Sequence, residues 1–130
     1  MYTSPAVRSV NAYTRQAAAS RVAAASPHEL VAMIFEALDQ ALLNALGALQ
    51  RGDVPAKAAA LSKAVQLLEE GLRAALDPKG GELTERLDVL YEYCARRLTE
   101  ANLHNDGERV EEVRRLIAPV ADAWNQIRPQ

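Results

Sequence analysis

The sequence predicts an all-α fold, an antiparallel up-down four-helix bundle with a short N-terminal segment or helix docked on it. Three observations lead there. Apolar residues make up 49% of the 130 residues but aromatic ones only 5%, so alanine and leucine carry the burial, which suits helices better than sheets. Four stretches place apolar residues at helical spacing, each with its own start and stop signals. The connections between them are short, which makes consecutive helices antiparallel neighbours.

Residues 1–25 hold scattered apolar residues (Val7, Val10, Tyr13, Val22) among small and polar ones. They read as a conditional helix that docks onto something, with the bundle occupying residues 26–130. The first bundle helix starts at Ser26-Pro27-His28-Glu29. Ser26 suits the N-cap, Pro27 the first helical position, and Glu29 the return bond of a capping box. This helix runs to about Gln50 and ends at Gly52, a residue tolerant of the left-handed conformation. Asp53 caps the second helix, which runs to about Leu76 and stops before Pro78. After the turn at Lys79-Gly80-Gly81, the third spans about Glu82 to Leu103, with Leu83, Leu87, Leu90, Cys94, Leu98 and Ala101 as its seam. Asn105 or Asp106 caps the fourth, which reaches about Ile127 with Val110, Val113, Ile117, Val120, Trp124 and Ile127 inward. Glu82–Arg86, Glu92–Arg96 and Glu111–Arg115 lie at i,i+4 in the favourable order. Pro119 predicts a kink, or a break at about Ala118, because it cannot bond the carbonyl of Arg115.

Composition excludes several function classes. A formal charge of −2 provides no basic field for nucleic acid or an anionic membrane. No uninterrupted apolar run has the length of a membrane span, and the N-terminus lacks a signal-peptide layout. The lone Cys94 rules out an internal disulfide and suits a reducing compartment, so the expectation is a soluble, cytoplasmic protein. Neither histidine has metal-ligand company: there is no Glu-x-x-His pair and no Cys-x-x-Cys-His. No enzyme constellation, cofactor motif or metal site is expected. His28, on a first helical turn where the dipole disfavours imidazolium, reads as a surface or packing residue. Phosphotransfer bundles present an exposed mid-helix histidine beside Lys-Gly; His28 stands at a helix start before "ELV".

The first helix carries more apolar surface than a bundle core uses. At about 100° per residue its polar residues, from Glu29 to Arg51, span only about 140°. The second repeats the excess, with Leu61, Val65, Leu68 and Leu72 as seam and Ala56, Ala60, Leu67 and Ala74 to one side. Two readings fit: the N-terminal segment covers this surface, or it is a groove for a partner's amphipathic helix. Met33, Ile34, Leu43 and Leu67 are the candidate contacts. A third reading puts a second copy there, although a monomer is expected for the free protein.

The whole chain resembles the FliS family of flagellar secretion chaperones. The resemblance is carried by "MYTS" at the start, "NAY" (11–13), "ASPHELVAMIFEAL" (25–38), "GDVPAKAAALSKA" (52–64), "LDPKGGELTERLDVLYEYCARRLTEANLHND" (76–106) and "EEVRRLIAPVADAWNQI" (111–127). It implies a cytosolic, non-enzymatic four-helix bundle that binds the disordered C-terminal segment of new flagellin. It also implies that the bound flagellin is kept from polymerising and is presented to the flagellar type III export gate. Some members also bind the anti-sigma factor of late flagellar genes. By position, Val10 and Tyr13 match the residues of the N-terminal segment that the family uses for flagellin binding. Phe35-Glu36-Ala37 stands where many members have Phe-Asp-Gly, Cys94 replaces a usual methionine, and Pro119 is uncommon at its place.

Overall fold

A computed structural model of the protein describes residues 20–127. The chain divides into two units, Met1–Leu30 and Val31–Gln130. In the first, residues 20–24 are helical, and the start of the next helix is capped as expected: the Glu29 N–H donates to Ser26 Oγ at 3.1 Å. Most of the N-terminal segment, with Val10 and Tyr13, lies outside the described residues.

The described helices are α1 (Pro27–Arg51), α2 (Val54–Gln66), α3 (Gly81–His104) and α4 (Gly107–Gln126). Cross-helix contacts set their directions. Lys57 meets Asn102 and Arg73 meets Asp88, so the chain through α2 ascends as α3 descends. Arg97 meets Glu112 and Arg109 meets Glu100, which runs α3 against α4. Asp39 of α1 reaches Arg114 of α4 at 3.2 Å. The result is an all-α bundle. One core cluster draws Phe35, Leu38 and Leu42 from α1, Leu61, Leu68 and Leu72 from the second arm, Tyr91, Cys94 and Leu98 from α3, and Val110, Val113 and Ile117 from α4. Each large side chain buried there stabilises the fold by roughly 1.5–3 kcal/mol.

Turn chemistry follows the sequence closely. Gly52 takes φ 68 after α1, and Asp53 Oδ1 accepts from the Ala56 N–H at 3.1 Å. Asn105 and Asp106 divide the task between them. Asn105 closes α3 in the left-handed conformation (φ 52), while Asp106 caps α4 by accepting from the Glu108 N–H at 2.9 Å.

Four expectations change. The second arm does not continue as α-helix to Leu76; Leu67–Arg73 is a π-helical stretch. Leu68 and Leu72 are both buried along it, and Gly71 sits against Ile34, where a Cβ would come within 3.0 Å of the isoleucine Cγ2. Of the two outcomes expected at Pro119, a kink or a break, the break at Ala118 does not occur: α4 runs through Pro119 to Gln126. Pro119 and Arg115 are both exposed, so water can satisfy the freed Arg115 carbonyl. Leu83 is 65% exposed, because the core reaches α3 only from Leu87 onward, and Ile127 likewise stands exposed just past the end of α4. Of the three i,i+4 pairs, Glu82–Arg86 forms; Arg96 instead lies over the Tyr93 ring, and Glu111 approaches Arg114.

Candidate binding surface

α1 exceeds the sequence expectation in one respect: by length and composition alone it is long and apolar enough to cross a membrane. Its core face accounts for part of that, with Phe35, Leu38, Ala41, Leu42, Ala45 and Ala48 buried. Val31, Ile34, Leu46 and Leu49 pack against that core, and a groove of about 680 Å³ runs along α1 and α2. Its floor is small: Ala37, Ala41 and Gly47 on α1, with Ala56, Ala59 and Ala60 on α2. Leu43 stands on its wall, 41% exposed. Gln40, Asn44, Arg51 and Lys63 supply the polar rim, and the Gln40 amide donates to Asn44 Oδ1 at 2.9 Å. Alanine on helix surfaces suits a third helix, because short side chains let two backbones approach closely.

The structure separates the four expected bundle contacts. Leu43 lines the groove; Ile34 and Leu67 are half-buried and pack against the core, with Ile34 on Gly71; Met33 is half-buried. Ile34 and Leu67 thus lie toward the π-helical end of the second arm and Leu43 farther along α1. Sequence reasoning did not single out Gly47, Arg51 and Lys63. The available signal was Gly47, a glycine well inside a strong helix, where it costs about 0.5–1 kcal/mol against alanine and so implies a local reason.

Nothing in the described residues resembles a reaction centre. No group of three His, Cys, Asp or Glu is arranged to hold a metal there. Cys94 is fully buried, and burial pushes its thiol up to about 12, away from the thiolate that nucleophilic chemistry needs. Burial likewise pushes the Tyr91 phenol up to about 12. His28 is half-buried on the first turn of α1, and His104 is exposed as the last residue of α3. One cluster of charged groups ties α3 to α4. Glu112 accepts from Arg97 Nε at 2.7 Å and from the Tyr93 hydroxyl at 2.8 Å. Those bonds, Arg97's first, hold its carboxyl below the usual range.

The sequence model of the family described as "Flagellar protein FliS" matches residues 9–130. The chain belongs to the FliS family. It is 45% identical to the flagellar secretion chaperone FliS of Salmonella typhimurium, over 100% of this chain and 95% of the relative. It is 41% identical to the FliS chaperone of Escherichia coli, over 93% and 90% of the two chains. It is 37% identical to the chaperone FliSB of Pseudomonas aeruginosa, over 94% and 97%. FliS proteins are chaperones, which is not an enzyme class, and membership supports an export-chaperone role in flagellum biogenesis.

Proposed function

We propose that this FliS protein is a cytosolic chaperone that binds the disordered C-terminal segment of flagellin, prevents its premature polymerisation and hands it to the flagellar type III export gate. It does no catalysis and is a monomer when free. The observation that carries the reading is the alanine-floored groove along α1 and α2 in a chain of secretion-chaperone ancestry. A disordered client loses ordering entropy on binding, so the chaperone must offer a long apolar track while leaving the client able to be released and threaded. Residues 26–130 form the carrier and residues 1–25 the docking segment. The client contacts are Val10 and Tyr13 of the N-terminal segment with Met33, Ile34, Leu43 and Leu67 of the bundle.

Titration with a peptide covering the C-terminal segment of the cognate flagellin tests this. Binding at 1:1 with a gain of helical circular dichroism is expected, weakened by Tyr13→Ala. No binding at peptide concentrations of roughly tens of micromolar would remove the client assignment.

A further inference from the structure

Two cations and no carboxylate line the α1–α2 groove. The chain carries 17 acidic residues and a net charge of −2, yet no carboxylate lines this groove, whereas Arg51 and Lys63 do. The grooves between α1 and α4 and between α3 and α4 each include acidic side chains, such as Asp39 and Glu92. Several cations elsewhere in the bundle are engaged: Arg73 with Asp88, Arg97 with Glu112, Arg109 with Asp106, Arg114 with Asp39, and Lys57 with Asn102. Arg51 and Lys63 have no hydrogen-bond or ion-pair partner among the described residues.

Gly47 shows that Arg51 is directed to the groove. The Arg51 guanidinium folds back along α1, and its Nη1 lies 3.2 Å from where a Cβ on residue 47 would be. The glycine missing a side chain is therefore the space over which the cation rests. Lys63 stands at the other end of the groove, on the α2 wall and seven residues beyond Ala56, or about 10 Å along the helix. Two cations unpaired among the described residues thus mark opposite ends and opposite walls of an apolar floor.

We infer that the groove reads a carboxylate-flanked amphipathic helix of the client: an apolar stripe seated on the alanines, with acidic residues about two turns apart meeting Arg51 and Lys63. This rests on the export-chaperone reading and deepens it. The alanine floor provides apolar contact along its whole length and discriminates poorly between registers. The cations set which turn of the client stops where, because a one-residue slip carries its carboxylates about 100° around the helix and away from both walls.

The test is a binding cycle between the full chain and the flagellin C-terminal peptide, at low and at high salt. One arm replaces Arg51→Glu and Lys63→Glu together. A milder arm uses Arg51→Gln with Lys63→Gln. A third keeps the chain and converts the peptide's Asp and Glu to Asn and Gln. Both substituted residues are exposed, and unchanged helical circular dichroism checks the fold. Expected are a loss of about tenfold for the reversal and about threefold for the neutral pair at low salt, shrinking at high salt. The neutralised peptide should lose affinity for the wild-type chain but lose little more on the double variant. Wild-type binding that is indifferent to all three changes overturns the inference and leaves the export-chaperone reading standing. No wild-type binding removes that reading itself. A wild-type dimer that the reversal converts to monomer would give the groove to a second copy and overturn the inference as well.

Discussion

Lys57 is the residue whose surroundings depart most from its type. It is only 3% exposed, and its Nζ donates to the Asn102 carbonyl at 2.8 Å and to Asn102 Oδ1 at 2.7 Å. The ammonium thereby satisfies a carbonyl in the last turn of α3, one of the acceptors a helix end leaves unpaired, and sits where the helix dipole favours a cation. Lys57→Ala strands that carbonyl in a partly buried place. A loss of about 1–3 kcal/mol in urea unfolding is expected, and one below about 0.5 kcal/mol would show that water replaces the ammonium. Nothing in the sequence marks Lys57, because a lysine among alanines looks like any solubilising residue of a helix. Cys94 is the opposite case. Its place between Leu90 and Leu98 on the seam already implied a buried, unreactive thiol, and burial is what the fold provides.

Among the elements, two helical glycines look alike in sequence and differ in what faces them. At Gly47 the nearest obstacle is the tip of Arg51, a flexible side chain that can move. At Gly71 it is the branched carbon of Ile34, packed against the core. Gly47→Ala is therefore expected to stabilise the protein by about 0.5–1 kcal/mol through helix propensity. Gly71→Ala is expected to destabilise it by about 1–3 kcal/mol through overpacking. Thermal unfolding of the two variants should move in opposite directions; a shared direction would refute the difference in surroundings. The same elements show how far the sequence could be followed. Caps and turns were readable because each depends on two or three adjacent residues. The π-helical stretch was not; it holds Gly71, which faces Ile34 of another helix, a long-range contact that no adjacent residues encode.

Across the whole molecule, titrating groups bound the pH range of stability. Glu112 is held below the usual carboxylate range, so it stabilises the fold above its unfolded value of about 4.3, and that contribution is lost as pH falls through the folded value. Cys94 and Tyr91 are pushed up to about 12 by burial. They keep their protons longer when folded, so their contribution is complete below unfolded values of about 8.5 and 10 and is lost as pH rises toward 12. Urea midpoints should hold steady between about pH 6 and 8 and fall on both sides. In Cys94→Val the alkaline fall should begin nearer pH 10, where Tyr91 takes over; an unshifted onset would assign the fall to other groups.

The sequence by itself determined the all-α class, most of the helix starts, caps and turns, and the family, since all of these rest on local spacing or on ordered motifs along the chain. It also located surplus apolar surface on the first two helices. What it did not contain was which of those residues remain available. Ile34 and Leu67 face the core in part, whereas Leu43 stands on the wall of a groove with Arg51 and Lys63 at its ends. That division belongs to the tertiary structure, because a helical wheel sees one helix, and exposure is decided by how a second helix lies across it.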